Sequence, residues 1–178
     1  MNKLLFFCLL AIASCANLRH LLDATAFYNE LVTRHNTLRK KHGASALGKL
    51  SALAKLAQKT ADNCRDKQSL IHTKDTYNGT TVGQNLYMCG GSVPTGTKVA
   101  DKWYAEEANY DYSTGKAKKD GLVIGHFTQL VWKKSKKIGC AIANGPWGDY
   151  DGYFVCCDYY PAGNMLNQYI ANVGKPTS

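Results

Sequence analysis

The chain has 178 residues, with 22 Lys and Arg against 13 Asp and Glu for a formal charge of +9. That length suits one domain with one sizeable core, and no stretch approaches the roughly 20 apolar residues of a membrane-spanning helix. The positive balance favours anionic partners such as a membrane surface or glycans, whereas nucleic acid is not expected without a recognition motif.

In chain order, Lys3, the apolar run Leu4 to Ile12 and then Ser14-Cys15-Ala16 read as a secretory signal peptide over residues 1–16, cleaved after Ala16. The competing reading, a lipoprotein signal with Cys15 lipidated, rests on four small residues that match easily by accident. The expected mature protein is secreted and soluble, a single domain over residues 17–178 with a short N-terminal extension. Of seven cysteines, Cys64, Cys89, Cys140, Cys156 and Cys157 remain in it. An oxidising compartment makes structural disulfides their expected fate, and an odd number leaves at least one thiol over.

Phe27 or Tyr28, Leu31, His35 and Leu38 recur at helical spacing before Gly43, which predicts a first helix over about Ala26 to His42. His35 falls on its apolar stripe and reads as a buried, satisfied histidine; His20 and His42, near element ends, read as surface residues. Leu50, Leu53, Ala54, Ala57, Ala61 and Cys64 form a second stripe. Ile71 to Thr81 is polar and irregular and carries the glycosylation sequon Asn78-Gly79-Thr80. A strand follows over Val82 to Met88, and a third helix opens near Thr95 and carries Val99, Trp103 and Glu106. The Gly125 segment predicts a short fourth helix. Ile138 to Ile142 and Tyr153 to Cys157 then read as two strands joined by a glycine-rich turn around Pro146 and Gly148. The lysine clusters Lys116/Lys118/Lys119 and Lys133/Lys134/Lys136/Lys137 read first as solvated faces.

Gly125-His126-Phe127-Thr128-Gln129-Leu130-Val131-Trp132, closed by Ser135, is too particular for ordinary helix packing, which asks only for Phe127, Leu130 and Val131 on the buried side. This segment resembles the signature of the superfamily of cysteine-rich secretory proteins, antigen 5 and pathogenesis-related proteins, the CAP superfamily with its SCP domain. Phe154 to Met165 is similar to the second family signature, departing at Asp158, where Asn is usual. His35-Asn36-Thr37-Leu38-Arg39 is similar to the first-helix motif and Gly83-Gln84-Asn85-Leu86-Tyr87 to the central strand motif. The resemblance implies an α+β fold, a three-layer α-β-α sandwich around a small, mostly antiparallel sheet. It also implies that His35 braces the fold, and that Cys140 pairs with Cys157, leaving Cys64 to take Cys89 or Cys156.

The resemblance further implies a cleft of two histidines and two acids. His126, Glu106 (or neighbouring Glu107) and His72 match those positions, but the remaining acid is Gln84 here, which cannot ionise. Two nitrogens and one oxygen suit zinc with an open position for water better than they suit magnesium. The expectation is therefore a weak zinc site at His72, Glu106 and His126, lost as the imidazoles protonate below about pH 6. The bland alternative is that the histidines only hydrogen-bond across the cleft. Relatives bind lipids or sterols or act on host and immune partners, so the resemblance implies a non-enzymatic sterol, lipid or partner-binding module. Tyr104, Tyr110 and Tyr112 are candidate groove residues. A metal-dependent extracellular hydrolase is the alternative, weakened because Gln84 cannot serve as general base.

Overall fold

The computed structural model describes residues 23–177; the expected leader, Cys15 and His20 lie outside them. Helix α1 covers 23–41. It is followed by strand β1 (Gly48–Lys49), helix α2 (Ser51–Asp66), the short strands β2 (Thr76–Tyr77) and β3 (Thr80–Thr81), strand β4 (Gly83–Gly90) and helix α3 (Gly96–Tyr104). Helix α3 runs on as a 3₁₀ turn over Ala105–Asn109, followed by β5 (Tyr110–Asp111), β6 (Lys116–Ala117), helix α4 (Gly125–Val131), β7 (Lys137–Trp147), β8 (Tyr150–Tyr160) and helix α5 (Tyr169–Asn172).

The central sheet has the order β1-β7-β8-β4 and is antiparallel except for the β1–β7 pairing. Side chains alternate between its faces, and each face receives its own layer of helices, the α-β-α sandwich expected. On β8, Val155, Cys157 and Tyr159 enter the larger core, with Phe27, Leu31 and Leu38 of α1, Val99 and Trp103 of α3, and Phe127 and Leu130 of α4. Phe154 and Cys156 point the other way, into a smaller core under Ala57, Ala61 and Cys64 of α2.

Helix α2 forms because Leu53, Ala57, Thr60, Ala61 and Cys64 make one continuous buried stripe. Gly139, Ala141 and Ala143 of β7 oppose this helix as small residues; a Cβ on Gly139 would lie 2.1 Å from the backbone nitrogen of Ala54. This close seat brings Thr60 and Cys64 over β8 and the edge strand β4. On the other face, Thr95 caps α3 by accepting from the backbone nitrogen of Lys98 at 3.1 Å. The end of α4 is held by Arg39, fully buried, which donates to the carbonyls of Leu130 (2.8 Å), Trp132 (3.0 Å) and Ser135 (3.0 Å). The Leu130 carbonyl is one a helix terminus otherwise leaves unpaired, and a cation is favoured there.

Three expectations need correction. His42 is buried, 1% exposed: its Nδ1 donates to the carbonyl of Gly174 at 2.8 Å and its Nε2 accepts from the Tyr104 hydroxyl at 3.0 Å, beneath a C-terminal segment that folds back over α1. The β7–β8 strands run further than expected, so Pro146 pairs with Asp151 inside the ladder and the turn falls at Gly148-Asp149. Finally, Cys140 and Cys157 are cross-strand neighbours joined by a disulfide, while Cys64, Cys89 and Cys156 are free thiols. Cys89 cannot reach Cys64, because on β4 Leu86 faces the small core under α2 whereas Tyr87, and by alternation Cys89, faces the opposite layer. Cys64 and Cys156 share the small core, unbonded; the Cys64 Sγ accepts from the Ile71 backbone nitrogen at 3.3 Å.

Candidate functional site

The signature helix α4 is pinned at both ends. Gln129 Oε1 accepts from the Gly163 nitrogen at 2.8 Å, and its Nε2 donates to Ser135 Oγ at 3.2 Å, which in turn donates to the Pro161 carbonyl at 2.8 Å. Thr128 Oγ1 lies 2.6 Å from Asn164 Oδ1, and Asn164 Nδ2 donates to the Gly125 carbonyl at 2.9 Å. A Cβ on Gly83 would lie 2.0 Å from Gln129 Oε1, so the strand motif glycine is what lets β4 and α4 meet. Much of the signature therefore serves to lock α4 against β4 and the segment after β8. His126 is left as a partly exposed polar side chain of the signature outside that lock.

His126 Nδ1 lies 2.6 Å from Glu106 Oε1, and Glu106 Oε2 accepts from the backbone nitrogens of His126 (2.9 Å) and Phe127 (3.2 Å). The carboxylate thus caps the start of α4 and holds the ring with its proton on Nδ1, because an ionised carboxylate only accepts. Trp103 stacks beside the ring, centroids 6.3 Å apart. Glu107, the neighbour that a slipped register would have chosen, points elsewhere: its Oε1 accepts from the Tyr112 hydroxyl at 2.8 Å. Of the two acids, Glu106 is the one in contact with His126.

His72 stands in the exposed loop after α2, with Nδ1 3.0 Å from Gln84 Oε1. Gln84 lies on the α2 face of β4, and its neighbour Asn85 lies on the α4 face, donating to the His126 carbonyl at 3.0 Å. The edge strand thus touches both pairs, His72–Gln84 through Gln84 itself and His126–Glu106 through Asn85. They form two pairs: among the described residues no cluster of three or more His, Cys, Asp and Glu side chains is set to hold a metal ion. Neither histidine Nε2 has a hydrogen-bond partner among the described residues, and both Nδ1 atoms are held by oxygen. That is the arrangement in which a second-sphere acceptor orients an imidazole for ligation.

Behind the cleft, His35 is fully buried between the Leu31 carbonyl (2.8 Å from Nδ1) and the Tyr159 hydroxyl (2.8 Å from Nε2), and Asn85 Nδ2 donates to the same hydroxyl at 3.2 Å. Burial depresses the His35 ring to about 4, which keeps it neutral. Tyr104, Tyr110 and Tyr112 line an open groove of about 580 Å³ that also takes in Glu107, Lys118 and Lys175. Burial, and for Tyr104 and Tyr112 the Glu107 carboxylate, raise their phenols above the ordinary range. Asn78 sits at the exposed tip of the β2–β3 hairpin, where Asn78 and Gly79 both take positive φ, as a two-residue turn requires.

Signals for Arg39, His42 and Asp158 as buried polar residues were absent from the hydrophobic periodicity, since all three are satisfied or constrained by partners distant in sequence.

Comparison with known proteins places the chain. Residues 32–159 match the model of the CAP, cysteine-rich secretory protein family. Human Golgi-associated plant pathogenesis-related protein 1 is 35% identical over 144 residues, 80% of this chain and 87% of that protein. Human cysteine-rich secretory protein 2 is 37% identical across 78% of this chain but 58% of its own length. For Protein PRY2 of Saccharomyces cerevisiae the figures are 35%, 83% and 41%. Among solved structures, Schistosoma mansoni venom allergen-like protein 4 matches with a TM-score of 0.59 at 21% identity, over 84% of this chain and 95% of that one. NaASP2 matches with a TM-score of 0.57 at 24% identity, over 83% and 86%. These two matches speak to the fold alone. On the family match across most of its length, this chain belongs to the CAP family, the cysteine-rich secretory proteins.

Proposed function

We propose that this is a secreted, non-enzymatic binding module that takes a sterol or other lipid, or a host or immune protein surface, and whose cleft histidines hold zinc weakly. The observation that carries the non-enzymatic reading is the engagement of Glu106. One of its oxygens is committed to His126 and the other to two backbone nitrogens. A hydrolase needs a free general base beside the activated water, and the other cleft position, Gln84, is neutral. For zinc, the donor set fits: His72 and His126 would bind through Nε2, with water completing the shell, and Glu106 and Gln84 would orient the rings from behind. In this reading Glu106 supports a ligand instead of being one. NaASP2, a relative by fold, was solved with Zn2+.

The tyrosine-lined groove beside Glu107 supports the ligand-binding half of the proposal, since aromatic walls with a few polar groups suit flat apolar molecules. No described helix is long and apolar enough to cross a membrane. Export would leave Asn78, at its exposed turn, open to glycosylation. A metal-dependent extracellular hydrolase is the second reading, favoured only by the two bare Nε2 atoms. The test is a titration of the purified mature domain with a labelled sterol, with and without a chelator. Saturable binding in either condition is expected; no binding in both, together with chelator-sensitive hydrolysis of a peptide substrate, would replace this reading with the second.

A further inference from the structure

Between α2 and the sheet lies a polar pocket that the two-histidine reading leaves unused. Asp158 of β8 is fully buried and stands opposite Gln84 in the β4–β8 register. Its Oδ1 accepts from Gln84 Nε2 at 2.9 Å and from the Cys156 thiol at 3.7 Å, and its Oδ2 has no hydrogen-bond partner among the described residues. Thr73 and Thr60 donate their hydroxyls to Asp75 Oδ2, at 2.5 and 3.1 Å, which leaves the Thr73 oxygen to accept the second N–H of Gln84 Nε2 at 3.1 Å, with the Thr60 oxygen 3.4 Å from the same nitrogen. On the other end of the carboxamide, Oε1 accepts from the Thr73 backbone nitrogen at 3.2 Å.

These contacts decide which way the amide faces. The Thr73 backbone N–H only donates, so the Gln84 oxygen faces it whatever the charge on Asp158; with Asp158 ionised the carboxylate only accepts, and exchanging the two ends of the amide loses both bonds. With Oε1 turned to His72, the ring must donate from Nδ1, and its Nε2 carries the lone pair. Burial pushes the Asp158 carboxyl up to about 7, and the Gln84 bond acts against that, favouring the ionised form that accepts.

We propose that Asp158 is a positioning residue: acting through the Gln84 carboxamide, it fixes His72 in the tautomer that presents a bare Nε2 to the cleft. A buried carboxyl one strand further in thereby acts on the ring through a neutral side chain. This role rests on His72 belonging to the cleft site, but it concerns the ring itself and not the ion.

The tautomer of His72 is read directly from long-range proton–nitrogen NMR spectra of the metal-free protein, at a pH where the ring is neutral. The expected wild-type spectrum shows the Nδ1–H form in excess. Asp158→Leu, which deletes the acceptor at similar volume, should cut the ratio of Nδ1–H to Nε2–H rings by about fivefold, the worth of one ordinary hydrogen bond. Asp158→Asn keeps an accepting oxygen and should restore the wild-type ratio. If the leucine variant does not fold, Asp158→Ser, whose hydroxyl is too short to reach Gln84, carries the same expectation. An unchanged His72 in the leucine or serine variant, or an equal shift in the asparagine variant, overturns the proposal. Zinc titrations on the same samples separate the two claims: absence of zinc binding throughout would defeat the metal reading and leave the tautomer result standing.

Discussion

Two histidine pairs, one on each face of strand β4, hold an imidazole with different chemistry. On the α4 side a carboxylate touches the imidazole directly, Glu106 to His126 at 2.6 Å, and the same carboxylate caps a helix. On the α2 side a neutral carboxamide touches His72 at 3.0 Å, and the carboxylate, Asp158, stands behind it on the next strand. One half is short, charged and tied to secondary structure. The other is a relay in a loop, where an exposed ring depends on a buried acid through an uncharged intermediary. The difference teaches that a neutral side chain at position 84 can still stand between a histidine and a buried carboxyl, whose reach to the ring is then longer and weaker than a direct contact.

The largest expected effect lies under both halves. His35→Ala removes the buried ring that holds the Tyr159 hydroxyl, to which Asn85 also donates, and should cost about 3 kcal/mol of stability. Zinc affinity of the folded fraction should be little changed. Chemical denaturation beside a zinc titration checks this, and an affinity loss as large as the stability loss would show that the brace and the site are one unit.

Next, the halves should respond unequally to matched substitutions. Glu106→Gln removes the charge behind His126 and should weaken zinc binding about tenfold, the usual size of a second-sphere loss. Gln84→Glu should strengthen it, at the cost of placing two carboxyls at the 2.9 Å contact now made by Gln84 and Asp158. A calorimetric loss at Glu106→Gln larger than the gain at Gln84→Glu would sharpen the comparison, whereas no change at Gln84→Glu would remove that half from the site.

A smaller effect sets Asp158 of the α2 side against the shared brace His35 by pH. Asp158, raised to about 7 from 3.8, is protonated in the folded protein where the unfolded chain is already ionised, so its contribution to stability falls as pH rises from about 4 to about 7. His35, depressed to about 4 from 6.5, has the opposite sense: its contribution is lost as pH falls through that window. The two oppose each other, and Asp158→Asn should leave His35 unopposed. Melting temperatures of that variant should fall more steeply than those of the wild type between pH 6.5 and 4, and parallel curves would place the Asp158 titration outside this range.

Much of the α4 half was legible in the sequence. His126 lies inside a signature dense enough to identify, and Glu106 follows Trp103-Tyr104 on a helix whose start, Thr95, shows its cap. The α2 half was legible only as single residues. That Gln84 meets Asp158 depends on the β4–β8 register, and a departure from a signature at position 158 says nothing of what stands opposite. The resemblance leaves Cys64 to Cys89 or Cys156, and the sequence does not show which sheet face Cys89 takes. His42 looked exposed because its covering residue, Gly174, lies 132 positions away. Local periodicity records what a residue's own element does with it, and these residues are defined by other elements.

The account stands most directly on whether the two halves form one site. Isothermal titration of the mature protein with zinc, repeated on His72→Ala and His126→Ala, answers this. A single weak site in the wild type that either substitution abolishes is the predicted result. Zinc binding that survives unchanged in one of the two variants would show that the histidines across strand β4 do not act together.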